Sequence, residues 1–186
     1  PMDLHKALVV SCDTIFYPMG YEYWRLYYPP PSLDGVEGND DEAPKEPLQK
    51  DLRAIGFGRV TNADLPLEKE GRVPDAVRKA GIHEEFPKLF PEGRWVPGDF
   101  VLMTIGQGDT LVTPLQLATA YAALQNDGRV CVPHLLDRVL EPDGTVARSM
   151  KPNCRRRWPF SQQDVRYVRE ALVDTVQTTG GTAAGA

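Results

Sequence analysis

The sequence predicts an α/β chain, mainly helical with short antiparallel strands, and three features carry that expectation. Thr113 is followed by Pro114 and then Gln116, the start signal of a capped helix that runs to Gly128. Ser161 and Asp164 repeat the pattern ahead of Val165, Val168, Leu172, Val173 and Val176, which share one helical face. Between them, residues 129–148 read as a hairpin: a strand from Val130 to Leu136, then Arg138–Leu140 joined to Val146 through Pro142-Asp143-Gly144. Helices should outnumber strands.

Composition narrows the functional classes. The 186 residues carry 21 Lys+Arg against 26 Asp+Glu, a net charge of −5, so the clustered positive field that nucleic-acid binding needs is missing. The short basic run Lys151, Arg155, Arg156 and Arg157 reads as solvated surface. At 41% hydrophobic the chain has material for a core, and no run approaches 18 apolar residues, so no span of a membrane is expected. Cys12, Cys131 and Cys154 show no C-x-x-C pair, which indicates neither a zinc site nor a dense disulfide framework and leaves the redox compartment open. Opening on Pro1 and stopping at Ala186 in a Gly/Thr/Ala stretch, the chain reads as a piece of something longer.

In chain order, Asp3 caps a short helix over 3–10 with Leu4, Ala7 and Leu8 on one face. Ile15, Phe16, Met19 and Tyr23 continue a second helical stripe across Pro18 and Gly20. Residues 29–47 hold five Pro, two Gly and six acidic residues with only Leu33 and Val36 as anchors, and are expected to form a disordered insert. A helix follows over 48–58 with Leu48, Leu52 and Ile55 inward. From Arg59 to Gly98, Pro66, Pro74, Pro87, Pro91 and Pro97 argue for turns and at most short elements. In the helix after Thr113, two stripes, Leu115, Ala118, Ala122 and Leu117, Tyr121, Leu124, suggest a wide buried face.

Few residues carry chemistry. Ser11-Cys12-Asp13 is a polar step between apolar segments, where a hydroxyl beside a carboxylate can relay a proton or position an amide; capping of the next helix is the plainer account. Cys12 could be a nucleophile only with a histidine close by, and His5 is the sole nearby candidate. Gly106-Gln107-Gly108 lacks the lysine and spacing of a phosphate cradle and reads as a tight turn. His5, His83 and His134 show no metal-binding or nucleophile–base pairing.

Taken together, four segments resemble the transpeptidase domain of class B penicillin-binding proteins of the elongation, penicillin-binding-protein-2-like type. LHKALVVSCDTIFYPMG (4–20) is similar to the stretch with the second of three active-site motifs, Ser-x-Asn or Ser-x-Asp, here Ser11 and Asp13. GFGRVTNADLP (56–66) is similar to the segment after the helical subdomain, and IGQGDTLVTPLQLATAYAALQNDG (105–128) to the family's glycine–glutamine turn and long helix. TTGGTAAGA (178–186) resembles the approach to the third motif.

The resemblance implies a partial penicillin-binding transpeptidase fold: 1–186 would be the central part of such a domain. It implies serine acyl transfer, in which a Ser-x-x-Lys serine attacks the D-Ala–D-Ala end of a peptidoglycan stem peptide and β-lactams acylate the same serine. Ser11 would pass a proton to the leaving amine, and Asp13 would orient substrate or lysine. Partners would be peptidoglycan stem peptides, β-lactams and cell-elongation membrane proteins, with no nucleic acid, no metal and no organic cofactor, on the extracytoplasmic face of the cell membrane. None of Ser11, Ser32, Ser149 or Ser161 has Lys three residues on, and Thr179-Gly180-Gly181-Thr182 has no preceding Lys. The chain therefore holds one motif of three and is expected to be inactive alone; the alternative is a non-catalytic transpeptidase-like binding or scaffold module.

Overall fold

The computed structural model describes residues 2–27, 46–154 and 156–185. Within them the chain runs α1 (Leu4–Val9), α2 (Asp13–Tyr27), α3 (Pro47–Ile55), α4 (Ala76–Glu85), α5 (Pro97–Thr104), α6 (Pro114–Gln125), β1 (Arg129–Val130), β2 (Arg138–Leu140), β3 (Val146–Ser149), β4 (Arg156–Arg157) and α7 (Gln162–Gln177). It is mainly helical with two small antiparallel sheets, β1–β4 and β2–β3. The insert expected over 29–47 lies, for 29–45, outside the described residues; Pro47 already opens α3. The chain divides into two compact units, one of Pro1–Lys50, Val73–Thr110 and Ala171–Ala186, the other of Asp51–Arg72 and Leu111–Glu170.

In the first unit α2 packs on α5. Gly20 permits it, because a Cβ there would stand 2.9 Å from the Val101 Cα and 3.1 Å from the Phe100 carbonyl. Phe100 is fully buried and its ring stands T-shaped to that of Trp95, with centroids 5.8 Å apart. The expectation of turns and at most short elements across 59–98 is corrected by α4, ten residues long, and by the start of α5 at Pro97. Pro74 stands just before the cap Asp75, whose side chain accepts from Arg78 N at 2.9 Å, and Pro87 follows the last cap, Phe86. Pro97 takes the first position of α5. The prolines bracket helices rather than break them. Lys79 Nζ joins the two, donating to both Asp99 oxygens at 3.0 and 2.8 Å, while Asp99 Oδ2 accepts from Val96 N at 2.7 Å. In α3, Gln49 is the fully buried residue, whereas Leu48, Leu52 and Ile55 are half-buried.

In the second unit α6 starts where the sequence places it. Thr113 Oγ1 accepts from Gln116 N at 3.1 Å, and Gln116 Oε1 accepts from Thr113 N at 2.9 Å. The buried face differs from the expected stripes: Gln116, Ala120, Ala123 and Leu124 are inside, while Leu117, Ala118, Tyr121 and Ala122 are exposed. The reason is Gln116, 2% exposed, whose Nε2 also donates to the carbonyls of Arg59 and Glu70, both at 2.6 Å. A polar residue thus anchors the interior. Gln116→Leu keeps the volume but strands two carbonyls and an amide, and is expected to cost about 3 kcal/mol or more. An unchanged melting temperature would contradict that.

The hairpin expectation is half right. β2 and β3 pair with Arg138 opposite Ser149, and Gly144 makes the turn at φ +86°. The strand expected from Val130 to Leu136 ends at Val130; β1 pairs instead with β4, Arg129 opposite Arg157. Pro133 has no N–H for a ladder, and Asp64 takes the next amides, accepting from Leu135 N at 2.7 Å and Leu136 N at 3.2 Å. The Leu135 amide above all, then Leu136, holds the Asp64 carboxyl below the usual carboxylate range. A depressed folded pKa gives stability that is complete above the ordinary value and is lost as pH falls through the lowered one. Asp64→Asn should therefore flatten the acid limb of a stability–pH curve below about pH 4; a parallel curve for the variant would refute this.

Cys131 and Cys154 form a disulfide, which the spacing had not indicated, beside a bond from Val132 N to Asn153 O of 3.0 Å. Of the basic run, Lys151, Arg156 and Arg157 are exposed, and Arg156 Nη2 and Arg157 Nη2 donate to the carbonyls of Ala54 and Asp127, both at 3.1 Å. In α7, Ser161 Oγ accepts from Asp164 N at 3.1 Å, as expected of a cap. Val165 and Ala171 are its buried residues, while Val168, Val173 and Val176 are exposed.

Candidate functional site

Ser11 and Asp13 lie in the first unit, at the joint between α1 and α2. Asp3 caps α1 by accepting from Lys6 N at 2.8 Å. At the other end Ser11 N donates to Leu8 O at 3.3 Å and Cys12 N to Ala7 O at 2.8 Å, a six-to-one closure. Such a closure needs a left-handed residue, normally glycine, and here it is Ser11 at φ +53°. Asp13 then begins α2, where the helix dipole favours a carboxylate.

The sequence brought these two residues together by proximity, and the structure shows how they are presented. Both are exposed. Neither the Ser11 hydroxyl nor the Asp13 carboxylate caps α2 through a backbone amide among the described residues. The capping account therefore has no hydrogen bond behind it. A hydroxyl that can donate and accept, held two residues from an acceptor-only carboxylate, suits proton passage and the holding of an ammonium or amide.

The other nucleophile weighed was Cys12, with His5 as its base. Cys12 Sγ lies 3.2 Å from Thr14 Oγ1, while His5 Nε2 is engaged with Asp174 Oδ2 at 2.9 Å. His83 Nδ1 and His134 Nδ1 lie against the carbonyls of Phe90 and Leu136, at 2.7 and 2.8 Å. Gly106 at φ +72° closes α5 with Gln107 N on Leu102 O at 2.8 Å, a helix-ending turn rather than a phosphate cradle. Among the described residues no three of His, Cys, Asp and Glu are grouped to hold a metal, and no helix is long and apolar enough to cross a membrane. A cavity in the second unit, lined by Thr61, Gln116, Cys131 and Asn153, includes neither Ser11 nor Asp13. Missed in the sequence were the Cys131–Cys154 pair and the contact of His5 with Asp174; each depends on residues far apart in the chain.

A family model of the penicillin binding protein transpeptidase domain matches residues 1–186. The chain belongs to that family of transpeptidase domains, and within it to the class B, PBP2-like branch. It is similar to the peptidoglycan D,D-transpeptidase MrdA of Acinetobacter baumannii, 29% identical over 180 residues that cover 97% of this chain and 22% of that protein. MrdA of Salmonella typhimurium is 31% identical over 135 residues, covering 73% and 17%. Among solved structures, PBP2 of Helicobacter pylori aligns at a TM-score of 0.65 and 26% identity, over 98% of this chain and 27% of that one. PBP2 of Pseudomonas aeruginosa in complex with WCK 5153 aligns at 0.63 and 25% identity, over 100% and 36%. The chain spans about a fifth of the length of these two MrdA proteins.

Proposed function

We infer that the chain is the central part of the catalytic domain of a peptidoglycan D,D-transpeptidase. The observation that carries this reading is Ser11 held exposed in a backbone conformation that glycine would occupy at less cost, in a chain of this family. A serine elsewhere in the protein attacks the D-Ala–D-Ala carbonyl, its hydroxyl proton is taken by a lysine, and an acyl-enzyme forms with D-Ala as leaving amine. Ser11 donates its hydroxyl proton to that amine and regains one from the base, and Asp13 orients the ammonium or substrate amide. A second amine then takes the acyl group, and a β-lactam stalls the cycle at the acyl-enzyme. Alone, without the nucleophile, the chain is inactive.

The site of action is the extracytoplasmic face of the cell membrane, where peptidoglycan lies. The Cys131–Cys154 disulfide supports this, since such bonds persist in oxidising compartments. PBP2 of Helicobacter pylori has been solved in complex with MreC, and the proposed partner here is a cell-elongation membrane protein. The test is intact mass of the full-length protein after benzylpenicillin. One covalent adduct is expected, with none on the isolated chain; a folded full-length protein that takes no adduct would be a scaffold instead.

A further inference from the structure

Two contacts tie α1, the helix that ends at Ser11, to the end of α7 and the turn beyond it. His5 Nε2 lies 2.9 Å from Asp174 Oδ2, the two side chains 32% and 44% exposed. Thr182 N donates to Val9 O at 3.2 Å, two residues before Ser11. The turn is closed on α7 in its own right, with Thr178 N on Asp174 O at 2.9 Å and Ala183 N on Thr175 O at 3.1 Å. Gly181 allows this, because a Cβ there would stand well inside contact distance of the Thr175 carbonyl. Asp174 thus works on both sides, its carboxylate toward α1 and its carbonyl toward the turn.

We propose that His5–Asp174 and Val9–Thr182 form a clasp between α1 and the turn after α7, and that His5 and Asp174 are positioning residues that hold Ser11 for proton transfer, a step resting on the reading of Ser11 given above. A six-residue helix has little stability of its own, so its place is set from outside. Ala7 and Val9 are buried, but apolar contacts tolerate sliding and rotation. Polar attachments at residues 5 and 9, about one turn apart, restrain both. Ser11 follows rigidly, because its own amide and that of Cys12 bond back into α1.

The test uses the full-length protein with His5→Phe, Asp174→Ala, the double variant and His5→Gln. The readouts are the limiting rate of acylation by a fluorescent penicillin, its half-saturating concentration, and amide hydrogen exchange at residues 8–12. Each single removal should lower the limiting rate about fivefold at unchanged half-saturation, and the double variant no further. His5→Gln, which keeps a donor, should retain most of the rate, and exchange at 8–12 should quicken in the others. Gly181→Ala, whose Cβ would press on the Thr175 and Asp174 carbonyls and displace the turn while leaving the His5 and Asp174 side chains unchanged, should do the same. Additive losses, or exchange at 8–12 that stays at the wild-type rate, would overturn the clasp. Ser11→Ala is a separate arm: wild-type acylation there would overturn the role of Ser11 and the catalytic part of the clasp together. Loss in Ser11→Ala with no change in the clasp variants would overturn the clasp alone.

Discussion

Ser11→Gly in the full-length protein is expected to raise its melting temperature while lowering acylation by benzylpenicillin about a hundredfold or more. The two effects have opposite signs because they come from different atoms. Ser11 sits at φ +53° in the closing turn of α1, where a Cβ crowds the backbone at a cost of about 1 kcal/mol. Glycine removes that cost and gives back part of it through the greater freedom of the unfolded chain. The remainder is a few tenths of a kcal/mol, about 1 °C or so in a protein of this size or larger.

On the proposed role of Ser11, catalysis should move the other way because the hydroxyl is gone, and general acid–base help is worth about 10²- to 10⁴-fold. Ser11→Ala separates the two: it keeps the strained Cβ and loses the hydroxyl, so activity should fall with no gain in stability. A glycine variant as active as the parent would remove Ser11 from the chemistry. One that melts lower would mean the left-handed conformation is not held in the folded protein. If both expectations hold, serine is retained at a glycine position for its oxygen, a stability–function exchange at a single residue.

Local signals were legible in the sequence, and non-local ones were not. Thr113, Pro114 and Gln116 announced α6 because a capping box lies within four residues. The buried face of that helix escaped, since Gln116 goes inside to reach Arg59 and Glu70, more than 40 positions away. Proline counting hid α4 and α5, because Pro74 and Pro97 mark helix entries as readily as breaks. The partner of β1 lies beyond a whole hairpin, at Arg156–Arg157, so the hairpin read over 129–148 pointed Val130 at the wrong neighbour. Ser11 and Asp13 were singled out by likeness to a family motif. The backbone geometry that sets Ser11 apart has no counterpart in the letters Ser-Cys-Asp.

The Cys131–Cys154 bond should be the chief support of residues 132–153 in the second unit. It closes a loop across a sequence separation of 23, and constraining a loop of that size in the unfolded chain is worth about 3 kcal/mol. Little else holds the loop. β2 and β3 are exposed along their whole length, so the hairpin contributes no core. β1 and β4 pair over only two positions, and Asp64 holds Leu135 and Leu136 through hydrogen bonds at an exposed site. Reduction, or Cys131→Ser with Cys154→Ser, should therefore release residues 132–153 before the rest of the unit. Amide exchange there should speed up about a hundredfold, and trypsin should cut first at Arg138 and Arg148. Penicillin acylation of the full-length protein under the same mild reduction should outlast the change in exchange, because Ser11 belongs to the other compact unit. Reduced protein with exchange and cleavage like the oxidised form would mean that α6 and Asp64 already hold the loop, leaving the disulfide as a mark of the compartment rather than a support of the fold.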